Sequence, residues 1–223
     1  MAKGFSVYLH DIAESIWTAQ YNHPFVQGIG DGTVNLTAFK HWVRQDYLFL
    51  IEYSRLFAMA TVRSMDLGSM TKFAQLAQTT LEVEMDLHRS YAQDFGISFH
   101  DLESEIKSPT CQGYTDFLLR TASVGTYPEL VASLLPCMWS FNEIGLRLKA
   151  NGLPEQELCS RWILMYSDPE FGALAKWCRD LVDQIALGLP KKDLLQMEMA
   201  FLISSRYEYL FWEMAWNHEQ WPF

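Results

Sequence analysis

An all-α bundle is the fold this sequence predicts, and three observations predict it. Apolar residues recur in three- and four-residue steps over long stretches, which is the pattern of amphipathic helices. Gly and Pro, only 12 and 8 of 223 residues, fall mostly between those stretches. No segment alternates with the period of two that marks a strand. The stretches add up to one domain, residues 1–223, of about eight helices packed as a bundle.

The first helix is expected from about Phe5 to Tyr21, with Phe5, Leu9, Ile12 and Ile16 on one face. Asn22-His23-Pro24 ends it, because Pro cannot continue a helix and biases its neighbour away from the α region. Gly28-Ile29-Gly30-Asp31-Gly32 then reads as a plain turn. It is not a phosphate loop, since no strand precedes it and no Lys-Ser/Thr follows. Thr37 is a suitable N-cap for a long second helix reaching about Ser64. A third covers about Ser69 to Phe95 and stops at Gly96, as C-terminal glycines do. A fourth covers about Cys111 to Ser123. A fifth runs from Pro128 to Asn151 and closes at Gly152, and a sixth from Pro154 to Tyr166. The seventh is capped by Asp168 and ends at Gly188. The last starts after Pro190 and reaches about Trp216.

Composition excludes several classes of function. Apolar residues are 49% and charged residues 20%, a globular balance. The 17 basic and 27 acidic side chains leave a net charge of −10, which repels nucleic-acid phosphates and anionic membranes. No apolar run approaches the ~20 residues that span a bilayer. The N-terminus lacks the apolar core of a signal peptide, so a cytoplasmic location is expected. The four cysteines, Cys111, Cys137, Cys159 and Cys178, form no C-x-x-C pair and are expected as reduced thiols.

Sites in bundles are built from polar side chains that point inward from facing helices. Three polar residues fall in apolar stripes. Asp46 lies in Phe39, Val43, Asp46, Leu50, Tyr53, Phe57 on the second helix. Cys137 lies in Leu130, Leu134, Cys137, Phe141, Ile144, Leu148 on the fifth. Glu208 lies in Leu194, Met197, Phe201, Ser204, Glu208, Phe211, Ala215 on the last. Each has a structural reading as well as a functional one. Asp46 would pair with Arg44 or Arg55, Cys137 would act as a small hydrophobe, and Glu208 would pair with an arginine. Read together, they suit a flat, electron-poor ring held between aromatic walls from Phe49, Tyr114, Phe141 and Tyr166. The acids would reach its nitrogens and the thiol would attack a ring carbon. A rival arrangement is a carboxylate-bridged metal site using Glu84, His88 and Glu143. Di-iron bundles need Glu-x-x-His on two helices; here Glu84 and His88 are four apart and occur once, so no metal and no cofactor is expected.

Several segments resemble the TenA (thiaminase II) family. They are His23-Pro24-Phe25-Val26, Phe39 to Leu48, Leu134-Leu135-Pro136-Cys137-Met138-Trp139, and Ser204 through Ala215. The resemblance covers almost the whole chain. It implies a haem-oxygenase-like helical bundle, a homotetramer, and hydrolysis of aminopyrimidines from degraded thiamin to hydroxymethylpyrimidine. It also implies, in many members, cleavage of thiamin itself. It matches Cys137 to a nucleophile that adds to the pyrimidine ring. Glu208 matches the acid that protonates a ring nitrogen, and Asp46 the carboxylate that holds the exocyclic amino group. Tyr114 and Tyr166 match tyrosines lining the site. Phe141 and Phe49 stand where the family usually has tyrosines, four residues after the Cys and three after the Asp. Two other readings stay open: an oxidase or oxygenase on the same bundle, and a non-catalytic pyrimidine-binding or regulatory protein.

Overall fold

The structure, a computed structural model, describes residues 4–223. All regular structure among the described residues is helical. The chain forms two compact units: residues 1–35 with 128–212, and residues 36–127 with 213–223. Among the described residues, no helix is long and apolar enough to cross a membrane.

The first unit holds α1 (Phe5–Tyr21), α2 (Pro24–Asp31), nearly all of α8 (Tyr127–Ala150), α9 (Glu157–Tyr166), α10 (Pro169–Ala186) and most of α11 (Lys191–Asn217). Here α1 packs on α2 and α10, and α9 packs on α2 and α10. The glycine segment expected as a plain turn is helix α2. Pro24 starts it, where a missing N–H costs nothing, and the His23 ring nitrogen caps it by accepting from the Phe25 N–H at 3.1 Å. Its glycines serve packing. A Cβ on Gly28 would lie 2.9 Å from the Val34 Cα, and one on Gly30 would lie 2.7 Å from a Leu148 methyl. Only Gly32, at φ +77°, behaves as a turn residue, ending the helix.

The second unit is organised around α3 (Leu36–Arg63), against which α4 (Leu67–Thr79), α5 (Met85–Asp94), the short α6 (Phe99–Glu103) and α7 (Pro109–Val124) pack. The single helix expected from Ser69 to Phe95 is interrupted. Thr80–Glu84 widens into a π-helical turn, and the Met85 N–H bonds the carbonyl of Thr80 five residues back. The burial pattern explains it. Leu76, Thr80, Glu84 and His88 are all buried at successive steps of four. An α-helix drifts by about 40° per such step, and the wider turn absorbs the drift.

Other boundaries hold to within a few residues. Asp168 caps α10 by accepting from the Glu170 N–H, and the three glycines expected as helix stops, Gly96, Gly152 and Gly188, all have positive φ. The sixth helix starts at Glu157 rather than Pro154, with Gln156 as its cap, and the short α6 carries too few apolar positions to show a period.

Candidate functional site

The three polar residues picked from apolar stripes are inward-facing. Asp46 is 4% exposed and Glu208 2% exposed, and every other member of the α3 stripe is buried. On α8 the whole stripe is buried except Cys137, which is partly exposed. On α11 only Leu194, at the start, departs from burial.

In the second unit, Asp46 meets His88 rather than an arginine. Its Oδ2 lies 2.7 Å from Nε2 of a fully buried His88. The arginines named as structural partners are engaged elsewhere, Arg44 with Glu105 and Arg55 with Glu52 at 2.6 Å. The reason is position. α5 lies along the buried face of α3, whereas Arg44 and Arg55 leave that face toward the surface. The other His88 nitrogen, Nδ1, lies 2.9 Å from the Glu84 carbonyl oxygen. Burial disfavours the imidazolium, but the Asp46 carboxylate and the Glu84 groups outweigh it, and the His88 pKa is raised. Glu84 is itself buried, and burial together with the Asp46 charge pushes it up to about 7, against opposing pulls from His88 and the Thr80 hydroxyl. Thr80 donates to Glu84 at 3.2 Å. Beside Asp46 on α3, Phe49 stacks on Tyr53 at 5.2 Å and meets Tyr114 of α7 at 5.1 Å. Two of the expected walls, Phe49 and Tyr114, are therefore one packed pair.

In the first unit, Phe141 and Tyr166 form the other pair, with ring centroids 4.8 Å apart. Trp212 at 5.0 Å and Trp162 at 5.8 Å complete the cluster around Phe141. Tyr166 is held by the helix that carries Cys137: the Asn142 side chain donates to its carbonyl oxygen at 2.9 Å. Trp212 is held in turn by a bond from its indole N–H to Gln20 at 3.3 Å.

The four thiols differ sharply. Cys111, Cys159 and Cys178 are sealed at 0% exposure. Burial pushes the Cys111 thiol far above its ordinary value and that of Cys159 to about 11, so neither supplies thiolate near neutrality. Cys137 is the thiol that a reagent can reach. Among the described residues no disulfide forms.

The members of the rival metal arrangement have other partners. Glu84 is bonded by Thr80 and His88 faces Asp46, while Glu143 pairs with His10 at 3.5 Å and Arg147 at 3.1 Å. Among the described residues, no group of three or more His, Cys, Asp or Glu side chains is placed to hold a metal ion. Sequence reasoning missed His88 as the partner of Asp46. Glu84, His88 and Tyr91 are buried together, which only the packing of α5 against α3 reveals.

The profile of the TENA/THI-4/PQQC family matches residues 10–218. The chain belongs to this family. Among its relatives is the aminopyrimidine aminohydrolase of Halalkalibacterium halodurans, 44% identical over 220 residues, covering 98% of each chain. The TenA homologue of P. horikoshii OT3 superposes with a TM-score of 0.88 at 27% identity, over 96% of this chain and 99% of that one. A Shewanella denitrificans domain with a haem oxygenase-like fold superposes at 0.73 over 95% and 92% of the two chains, at 12% identity. This TENA/THI-4/PQQC member therefore has the expected haem-oxygenase-like, all-α fold.

Proposed function

We propose that this chain is a thiamin-salvage hydrolase of the aminopyrimidine aminohydrolase, or thiaminase II, type. The observation that carries the reading is the 44% identity, over 98% of both chains, with a relative of that name. It is supported by the chemistry of the residues. Cys137 is the accessible thiol among four, and Asp46 and Glu208 are buried carboxyl groups on inward faces.

The roles follow the family resemblance. The Cys137 sulfur adds its electron pair to a ring carbon of the pyrimidine, while Glu208 delivers a proton to a ring nitrogen. The ring electrons then expel the amine from the exocyclic methylene as ammonia, or expel the thiazole when thiamin is the substrate. Water adds to the methylene and gives up a proton, the ring nitrogen returns its proton to the Glu208 carboxylate as the thiolate leaves, and the aromatic ring is restored. The net change is replacement of the amino group by hydroxyl. Asp46 accepts from the exocyclic amino group, and Phe49, Tyr114, Phe141 and Tyr166 supply the aromatic lining. The same resemblance supports one TenA-like domain over residues 1–223, a homotetramer and a cytoplasmic location; the acidic net charge supports the absence of a nucleic-acid partner.

The deciding experiment incubates the purified chain with an aminomethyl-aminopyrimidine and follows ammonia and the hydroxymethyl product. Ammonia in step with product supports the reading, and its absence removes it. Asp46→Asn should mainly raise KM, because its contact serves ground and transition states alike. Glu208→Gln should lower kcat by ~10²–10⁴-fold, the usual worth of a positioned acid. The reverse pattern refutes the role assignment.

A further inference from the structure

We infer that His88 is a positioning residue, which fixes one carboxylate oxygen of Asp46 and shares a proton with it so that the other oxygen meets the substrate as an acceptor. For the role of Asp46 this rests on the aminopyrimidine reading above. The pairing itself does not.

The geometry constrains the protons. A backbone carbonyl only accepts, so the His88 Nδ1 that lies 2.9 Å from the Glu84 carbonyl carries hydrogen. The opposite nitrogen, Nε2, then faces Asp46 Oδ2 at 2.7 Å. Either Nε2 also carries a proton, giving an imidazolium against a carboxylate, or the proton sits on Asp46. The contact between Nε2 and Oδ2 holds a single proton in both cases. The Asp46 carboxylate faces the imidazole across a short, buried contact and raises the His88 pKa against the cost of burial. This favours the ion pair. It occupies Oδ2 and leaves Oδ1 for a ligand.

The surroundings keep the pair fixed. Trp42 of α3 lies 5.1 Å and Tyr91 of α5 lies 6.2 Å from the His88 ring, centroid to centroid. The titratable groups that act on the imidazole are Asp46 across the helix interface and Glu84 one turn before it. From α7, the buried Cys111 thiol feels the Asp46 charge and remains protonated. The π-helical turn at Thr80–Glu84 ends on the residue whose carbonyl holds Nδ1. Turns of this kind re-aim the side chains that follow them and occur often at functional sites. A buried ion pair adds little to stability against an apolar pair of the same shape, so its presence calls for another role.

The test uses the full chain and has two arms. Proton NMR follows the His88 imidazole from about pH 5 to about pH 9, the range around histidine titration, in the native protein and in Asp46→Asn. The ring is expected to titrate above the ordinary histidine range in the native protein and at lower pH in the variant. Equal titration in both overturns the shared proton. The second arm measures turnover of an aminomethyl-aminopyrimidine by His88→Gln across the same range. KM should rise by about tenfold or more, the usual worth of a contact to a charged group, and rise further as pH falls, with kcat little changed. Adding Asp46→Asn to His88→Gln should cost no more than Asp46→Asn alone. A KM that is raised equally at every pH, or additive losses in the double variant, overturns the positioning role and leaves a structural pair. If the native chain releases no ammonia, the aminopyrimidine reading fails instead, and the NMR arm still decides the pairing.

Discussion

Replacing Gly145 by Ala should loosen the hold of α8 on Tyr166, and the effect can be sized. Gly145 is buried in α8, where the C-terminal end of α9 passes over it. An added Cβ would lie 2.7 Å from the Tyr166 carbonyl carbon, 2.8 Å from the Ser167 nitrogen and 3.0 Å from the Tyr166 Cβ. Carbon atoms prefer about 3.5–4.0 Å, so α9 must retreat by roughly 1 Å. These are backbone atoms and cannot swing aside. Overpacking of this kind costs ~1–3 kcal/mol. The same retreat stretches the 2.9 Å bond from Asn142 to the Tyr166 carbonyl, adding about 1 kcal/mol. Against this, Ala in place of Gly inside a helix returns ~1 kcal/mol. The net loss is about 2 kcal/mol, which lowers Tm by ~4–8 °C for a chain of this length. KM for the aminopyrimidine should rise as well, because Tyr166 is assigned to the lining. Gly172→Ala is the control. Its Cβ would meet nothing closer than the Asn142 amide at 3.4 Å, an ordinary contact. Calorimetry or thermal melting followed by circular dichroism reads both. An unchanged or raised Tm in Gly145→Ala, matching the control, would falsify the argument that this glycine exists for close approach.

Stability should fall as pH rises from about 4.5 to about 7. Glu84 titrates near 7 in the fold against a usual value of 4.5, so the folded state binds more protons than the unfolded one across that window. The gap corresponds to on the order of 3 kcal/mol. The raised His88 value acts in the same direction, its contribution being present below the ordinary histidine range and lost as pH rises through the folded value. Glu84→Gln should flatten the dependence of Tm on pH and be the more stable protein above neutrality; a slope as steep as the native one refutes the assignment. Native protein treated with a thiol reagent should label chiefly at Cys137, since the other three are sealed, and Cys137→Ser should abolish turnover while Cys111→Ala, Cys159→Ala and Cys178→Ala keep most of it. Near-normal activity of Cys137→Ser rules out covalent catalysis. Phe141→Tyr should raise kcat if the hydroxyl implied by the family resemblance at this position assists the thiol. The ring is only 5% exposed, so a hydroxyl without a partner would lower Tm through a desolvation cost of ~1–3 kcal/mol. No change in either quantity means that the aromatic departures are neutral.

Helix periodicity by itself determines the inward faces. A carboxylate at Asp46 or Glu208, set in an apolar step of three and four, has to point where the apolar side chains point, because the helix carries them on one stripe. The capping residue Asp168 and the stops Gly96, Gly152 and Gly188 were legible for a similar reason, since caps and left-handed termini are local chemistry. Three features were decided by tertiary structure alone. The glycines of α2 are spaced for close approach to Val34 and Leu148, which lie outside that helix, so the local sequence reads as a turn. The π turn at Thr80–Glu84 answers a drift of the buried stripe against α3, and a step of four is permitted in any ordinary helix. The partner of Asp46 is His88, 42 positions along the chain. A buried charge demands some partner, and that demand is written in the sequence. Which partner meets it depends on the packing of α5 against α3, which no periodicity within either helix can specify.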